Sequence, residues 1–166
     1  MYWGYSGMQS FQSIIPAELF NFYESLGYDR TVKTDMDYSY YGLRGLTSTK
    51  YHIREIENDT DYEEMPGFEY IGNQGAFEIY ENNYYVPMGF MYDSYFNKAQ
   101  LDKIPHENID KLYMQGVYLS DEQIAKYGEF MTEMPDMKNY QLTDKAYLEA
   151  CEKLRETACN YFVYDN

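Results

Sequence analysis

Four side chains that lie close together in the sequence have the types and spacing of a carbohydrate contact. Tyr80, Tyr84 and Tyr85 surround Asn82 in the segment FEIYENNYYVPMGF, residues 77–90. Tyrosine rings stack on the faces of sugars, and an asparagine amide hydrogen-bonds their hydroxyl groups. The other interpretation is that these tyrosines pack between a sheet and helices. Both interpretations stay open from the residues alone.

Arg44 and Lys50 stand out among the basic residues, because positive charge is scarce in this chain. Its 166 residues carry 13 Lys and Arg against 28 Asp and Glu, a formal net charge of -15. A field of that sign repels phosphate backbones, so we predict that nucleic acid is not a partner. Arg44 and Lys50 are candidate contacts for an anionic ligand, although a lone basic residue beside a strand is more often solvated or ion-paired.

No catalytic constellation can be named from the residue pattern. His52 and His106 are isolated, with neither HExxH nor Cys/His spacing around them and no nucleophile elbow nearby. A glycosidase needs two carboxylates placed across a sugar, and 28 acidic residues offer no way to nominate a pair. Glycine-rich phosphate loops are absent as well. We therefore predict no catalytic residue and no cofactor.

The acidic composition raises the question of a metal site. Residues 35–46 begin like an EF-hand loop, but Tyr40 stands at the sixth position, where glycine is needed, and Leu46 at the twelfth, where glutamate closes the coordination sphere. The acidic stretch NDTDYEE, residues 58–64, is better explained as a solvated loop than as a weak calcium site. We predict no metal site.

Helical segments are indicated by apolar spacing and by start and stop signals. We predict them at residues 15–26 with Gly27 as the end, at 107–115, at 120–131 and from Thr143 to about residue 158. Ser120 with Gln123 forms a capping box, and Thr143 is the expected N-cap of the last helix. Cys151 and Cys159 are expected to be free thiols, because eight helical residues separate them by about 12 Å.

Strand patterns fill the middle of the chain and return at its end, at residues 46–53, 68–71, 77–81, 89–96 and 161–164. Glycines at 72 and 75 predict an antiparallel hairpin between the second and third of these. At Val86-Pro87 we expect a tight turn, with a cis bond as one option, that brings Tyr80 and Tyr92 onto neighbouring strands. The element order predicts an α+β fold with a mainly antiparallel sheet and several packed helices.

We expect one domain spanning residues 1–166, cut from a longer protein. The length suits a single core. No apolar run approaches the ~18 residues that span a bilayer, so the chain itself should be soluble. Both termini interrupt aromatic sequence that has the character of structured elements.

Two segments in order, RGLTSTKY at residues 44–51 and IYENNYYVPMGF at residues 79–90, resemble the YfhO family of bacterial multi-pass membrane proteins. YWGYSGMQSF at residues 2–11 and ACNYFVYDN at residues 158–166 are similar to further pieces of that family. The resemblance extends over essentially the whole chain, and the paired segments are more specific together than either is alone.

The resemblance implies a parent of the GT-C glycosyltransferase type, which takes a sugar from a polyprenyl-phosphate carrier on the outer face of the membrane. Some such proteins are associated with the decoration of teichoic acids. It also implies that this segment belongs to the extracytoplasmic face of the cell membrane. The presumed catalytic acid of such enzymes lies in an early extracytoplasmic loop that has no counterpart here, so the fragment should be non-catalytic.

Two roles for the fragment follow from the resemblance. It braces the transmembrane part of the parent chain, or it docks a cell-surface glycan or polymer through Arg44, Lys50, Tyr80, Asn82, Tyr84 and Tyr85. An anionic teichoic acid would meet a chain of charge -15, which makes bracing at least as well supported as docking. The alternatives are a free-standing carbohydrate-binding module, a hydrolase with an unrecognised carboxylate pair and a purely structural module.

Overall fold

Six α-helices and six short strands form the described part of the computed structural model, residues 17–27, 38–57 and 64–158. The helices are α1 (Ala17–Ser25), α2 (Gly42–Leu46), α3 (Lys98–Leu101), α4 (Ile109–Tyr113), α5 (Asp121–Tyr127) and α6 (Asp144–Thr157). The strands are β1 (Tyr51–Glu55), β2 (Phe68–Gln74), β3 (Phe77–Asn82), β4 (Ser94–Phe96), β5 (Val117–Tyr118) and β6 (Thr132–Glu133). This content confirms the predicted α+β fold.

The larger sheet is antiparallel, with the order β1-β3-β2. At one end of it, Tyr51 of β1 and Glu69 of β2 both pair with Glu81 of β3. The pairing of β2 with β3 confirms the predicted hairpin, although β2 runs three residues beyond its predicted end at residue 71. A second sheet, β5-β4-β6, is small and parallel. Its strands are separated by helical connections, so no local pattern marks their pairing.

Two apolar clusters make up the core of the described residues. The first joins the buried face of α6 to the start of β2 and the loop after β3, through Tyr41, Met65, Phe68, Val86, Met114, Tyr147, Ala150, Cys151 and Leu154. The second joins α1, α2, α3, α4 and β4, through Leu26, Leu43, Phe96, Leu101, Ile104, Ile109, Leu112 and Leu142. The helices therefore carry most of the core, and the antiparallel sheet meets it mainly at the Phe68 end.

The predicted helix signals hold where the structure describes them. Gly27 follows α1 with φ 72°, a left-handed conformation that favours glycine. The Ser120 side chain accepts a hydrogen bond from the Gln123 N–H at the start of α5, which completes the expected capping box. The Thr143 hydroxyl accepts from the Ala146 N–H at 3.2 Å and caps α6. Capping is local chemistry, so it can be predicted from the residues alone.

The strand predicted at residues 46–53 is wrong in its first half. Leu46 ends α2, and extended structure begins only at Tyr51. A Cβ on Gly42 would lie 2.8 Å from a carboxylate oxygen of Asp110, and one on Gly45 would lie 2.8 Å from the methyl group of Met114. The two glycines thus let α2 pack closely on α4 and its C-terminal end, and this tertiary contact outweighs the β propensity of the threonines that follow.

The arrangement expected around Val86-Pro87 is also wrong. The described residues contain no cis peptide bond, and the chain turns earlier, where the Tyr85 N–H donates to the Asn82 carbonyl at 3.2 Å. Of the strand predicted at residues 89–96, only 94–96 is extended. Tyr92 lies in the loop before β4, a strand of the parallel sheet, so Tyr80 and Tyr92 do not lie on neighbouring strands.

Several predictions fall outside the described residues. They are the start of the first helix at residues 15 and 16, most of the acidic stretch 58–64, the first part of the EF-hand-like segment 35–46, the terminal strand 161–164 and Cys159.

Candidate functional site

The antiparallel sheet presents two faces of opposite character. Residues that pair across an antiparallel ladder point to the same side, and neighbours along a strand alternate. One side, the polar face, carries His52, Arg54, Tyr70, Asn73, Glu78 and Tyr80. The other side, the apolar face, carries Tyr51, Ile53, Phe77 and Ile79 from the paired register, and Ile71 by alternation from Tyr70. Polar side chains lie at its two ends, Glu69 and Glu81 at one and Glu55 and Gln74 at the other.

Asn82 fixes the end of the sheet nearest the core. Its side-chain Nδ2 donates to the Thr49 carbonyl at 3.1 Å, and its Oδ1 accepts from the Tyr84 N–H at 2.9 Å. Its own N–H donates to the Lys50 carbonyl at 2.8 Å. Asn82 is buried, and it joins the approach to β1 with the turn after β3. Its amide atoms are therefore directed at backbone groups.

The polar face is built around the carboxylate of Glu78. Its Oε2 accepts from Arg54 Nε at 2.6 Å and from the Tyr80 hydroxyl at 2.9 Å. The hydrogen bond from Arg54, followed by that from Tyr80, lowers the pKa of Glu78. Burial and the same carboxylate raise the pKa of Tyr80. Glu78 is thus held ionised as an acceptor, which suits binding and does not suit the role of a general acid.

Aromatic rings extend this arrangement across the strands. The rings of Tyr70 and Tyr80 lie edge to face with centroids 5.6 Å apart, and the ring of His52 lies 6.1 Å from that of Tyr80. The Tyr70 hydroxyl donates to Asn73 Oδ1 at 2.5 Å. Tyr70 is about half exposed, so its ring is open to solvent. Together these side chains make an aromatic surface edged by amide, carboxylate and guanidinium groups.

The structure does not bring the two predicted basic residues to one surface. Arg44 is buried in α2, and its guanidinium lies 3.5 Å from the Tyr40 carbonyl. Lys50 is exposed; its ammonium group lies 3.6 Å from Glu81 and 5.1 Å from the centre of the Tyr51 ring. Contacts with Tyr51 and then with Glu81 raise the pKa of Lys50.

The predicted tyrosines are also divided. Tyr80 lies on the polar face, whereas Tyr84 packs beside Gly67 and Leu148 against the first core cluster. Tyr85 is half-buried in the turn after β3. The residue-level prediction missed Arg54, Tyr70 and Glu78. The predicted hairpin carried no register, the pairing of Tyr70 with Tyr80 depends on a bulge between Tyr70 and Gly72, and β1 was not predicted to pair with β3.

A second titratable group, Asp110 of α4, is fully buried away from the sheet. Its Oδ2 accepts from the Gly42 N–H at 2.9 Å, and its Oδ1 has no hydrogen-bond partner. Burial raises the pKa of Asp110 to about 6. Such a carboxyl resembles a catalytic acid in its pKa, but it is enclosed between helices, where no substrate reaches it.

A shallow open groove lies between α6 and the loop before β4. Asp93 and Lys153 form an ion pair across its edge at 3.1 Å. Its floor includes Met114 and Leu154. The groove offers no pair of carboxylates and no nucleophile with a base, so it carries no argument for catalysis.

Neither a metal-binding cluster nor a membrane-spanning helix is present in the described ranges. Within them, no group of three or more His, Cys, Asp or Glu side chains is placed to hold a metal ion. Over the same residues, none of the helices has both the length and the apolar character needed to cross a bilayer.

The family model described as bacterial membrane protein YfhO matches residues 1–160 of this chain. The chain belongs to the YfhO family. It is 26% identical over 141 residues to the uncharacterized protein YfhO of Bacillus subtilis (strain 168), an alignment that covers 78% of the chain and 16% of that relative. The chain thus spans a small part of the length of this YfhO relative. No solved structure matches it.

Proposed function

We propose that this chain is an extracytoplasmic, non-catalytic domain of a YfhO-type membrane glycosyltransferase. The parent transfers a sugar from a polyprenyl-phosphate carrier to a cell-surface polymer such as teichoic acid, and the domain braces the transmembrane part that does so. Membership of a membrane-protein family supports a membrane-associated parent. The observation that carries the bracing role is the antiparallel sheet, whose apolar face is left exposed.

The location of the candidate ligand residues favours bracing over docking of an anionic polymer. Arg44 is buried, and the side chain of Asn82 is taken up by backbone groups. Lys50 is exposed, but Glu81 lies beside it. No cationic surface is thereby assembled from the predicted residues to offset a net charge of -15.

Glu78 and Asp110, two of the four described carboxyl groups with shifted pKa values, support a non-catalytic role. Glu78 has a lowered pKa because Arg54 and Tyr80 donate to it, so it holds no proton to deliver at neutral pH. Asp110 has a raised pKa but lies enclosed behind α2. General acid–base catalysis requires a group that reaches the substrate and also has a suitable pKa. Neither carboxyl meets both conditions.

Sugar transfer in membranes that contain the full-length parent tests this proposal. Labelled sugar on a polyprenyl-phosphate carrier is supplied, and its incorporation into polymer is measured. We expect no incorporation by the isolated 166-residue chain and unchanged incorporation by the parent carrying Glu78→Gln. The parent without residues 1–166 should lose activity. Transfer by the isolated chain, or full activity of the parent without this domain, would contradict the proposal.

A second candidate function is carbohydrate binding through the polar face. Two observations favour carbohydrate binding: the half-exposed ring of Tyr70 lies beside Tyr80, and Arg54 and Glu78 form a charged pair. Sugars are held by stacking and by charge-assisted hydrogen bonds. Titration with neutral oligosaccharides, followed by tyrosine fluorescence, tests it. Binding that is lost in Tyr70→Ala and retained in Tyr140→Ala would support this function. Tyr140 is a matched control because it is an exposed tyrosine far along the chain, after β6.

A further inference from the structure

Four large apolar side chains on the apolar face of the antiparallel sheet are exposed to solvent. Ile53 is 59% exposed, Ile71 52%, Tyr51 47% and Phe77 36%. The strands of this sheet contact one another far more than they contact any other described element. A three-stranded sheet gains independent stability by covering one hydrophobic face. Packing against a partner would therefore stabilise the sheet by covering its apolar face.

The size of this surface argues for a partner on the same polypeptide. With ~200 Å² for a fully exposed large side chain, the four exposed fractions amount to about 400 Å². That lies in the range of functional patches on monomers, but it is about half of the ~800 Å² per partner that a stable complex between separate proteins needs. A covalently attached partner requires less area, because its effective concentration is high.

The charge of the chain disfavours two other occupants. Glu69 and Glu81 lie at one end of the apolar face, where Asn83 Nδ2 donates to Glu69 at 3.0 Å and the Lys50 ammonium lies 3.6 Å from Glu81, and Glu55 lies at the other end. A second copy docked face to face would bring together two chains that each carry a net charge of -15, with carboxylates at both ends of each surface. An anionic lipid surface would meet the same repulsion. An apolar partner without excess negative charge avoids this repulsion.

We infer that the apolar face docks onto a region of the same polypeptide outside residues 1–166, an apolar strip without excess negative charge. This inference rests on the proposed bracing function and names the surface that performs it. The matched part of the Bacillus subtilis relative is 16% of that protein, so a chain of this family offers ample length for such a partner. Ile53 and Ile79 lie at the centre of the contact, opposite each other on β1 and β3.

Site-specific photo-cross-linking in the full-length parent tests the inference. A benzophenone amino acid is placed at position 53, and a matched probe is placed at Phe130, which is 76% exposed and follows α5. After irradiation, cross-linked peptides are mapped by mass spectrometry. We expect position 53 to give at least about fivefold more linkage to peptides outside residues 1–166 than position 130 gives, because only a covered interface holds the probe against its partner.

Other products would overturn the inference. A species of twice the mass linked through position 53 would identify a second copy, lipid adducts would identify the membrane, and equal labelling from both positions would mean that nothing docks there. A parallel measurement covers poor folding of the probe variants: Ile53→Glu should accelerate limited proteolysis of this domain in the parent, and Phe130→Glu should not. Equal proteolysis of the two variants would also overturn it.

The same membranes separate the inference from the proposed function. Linkage from position 53 in a parent that transfers no sugar would leave the docking surface in place and refute the glycosyltransferase proposal. Normal sugar transfer without linkage from position 53 would refute the docking inference and leave the glycosyltransferase proposal in place.

Discussion

The buried carboxyl of Asp110 makes a quantitative prediction about stability and pH. It is fully buried, and burial is the largest influence on its pKa, which rises from 3.8 to about 6. The N–H groups of Gly42 and Lys111 and the charge of Lys111 act in the opposite direction and do not outweigh burial. The folded chain therefore binds a proton at Asp110 more tightly than the unfolded chain does.

The sign and the size of the effect follow from this difference. A folded-state pKa above the unfolded value contributes stability that is fully present below about pH 4 and is lost as the pH rises through about 6. A change from 3.8 to about 6 corresponds to about 3 kcal/mol. The groups that face Asp110 are Tyr41 from the start of α2, Tyr147 from α6 and Lys111 from α4 itself. Both tyrosines have raised pKa values, so neither changes charge in this range.

The perturbation is Asp110→Asn, which keeps the shape and the acceptor for the Gly42 N–H but removes the titration. Urea unfolding of both chains from pH 4 to pH 8 gives the difference in unfolding free energy, variant minus wild type. We expect this difference to rise by about 2.5 kcal/mol between pH 4 and pH 7, most of the full change, and then to level off. Other carboxylates titrate in both chains and cancel in the difference.

Two results would refute this reasoning. A difference that does not change with pH would mean that Asp110 has an ordinary pKa in the folded chain. A difference that falls with pH would mean that the two N–H donors and Lys111 outweigh burial. Asp110→Ala serves as the control for the hydrogen bond, because it leaves the buried Gly42 N–H without its acceptor. It should be about 1–3 kcal/mol less stable than Asp110→Asn at every pH, since neither variant titrates at this position.

Three further predictions concern local contacts. Gly42→Ala should lower the unfolding free energy by about 1–3 kcal/mol in urea, because its Cβ would lie 2.8 Å from Asp110 Oδ2; Gly128→Ala, whose nearest contact is 3.3 Å, should cost less, and equal costs would contradict the argument. Thr143→Ala should cost about 1 kcal/mol by the same assay through loss of the α6 cap, and an unchanged midpoint would show that the cap contributes nothing. Burial raises the pKa of Cys151 to about 11, so iodoacetamide at pH 8 should modify its peptide only after unfolding, and rapid labelling of the folded chain would contradict its burial.

Elements with local signals could be predicted from the sequence. Gly27, Ser120 and Thr143 act through hydrogen bonds or backbone angles within a few residues, and each lies where it was expected. The hairpin of β2 and β3 is likewise local, with its strands joined by a short turn. The stripe on α6 that contains Tyr147 and Leu154 became a core surface for the same reason, because its spacing alone defines a buried face.

What could not be predicted depends on contacts between distant segments. The parallel sheet joins strands of two or three residues across helices, too short for a period-two pattern to develop. The strand predicted at residues 46–53 lost its first half because α2 extends to Leu46 and fits against Asp110, a residue 68 positions away from Gly42. The same limit applies to the site: the composition pointed to Tyr80, but only the pairing of β1 with β3 brings Arg54 to Glu78.

Asn82 is important in the structure, but its role differs from the one that the sequence predicts. It was a candidate for bonding sugar hydroxyls, yet both ends of its amide hold backbone groups, those of Thr49 before β1 and Tyr84 after β3. The bond to Thr49 ties the end of β3 to the residue before β1 and so helps to fix the register between these strands, and a shift of one residue in a sheet exchanges its two faces. Loss of glycan binding or of docking in an Asn82 variant would therefore report a change in register, and only Tyr70 and Ile53 variants separate the two faces.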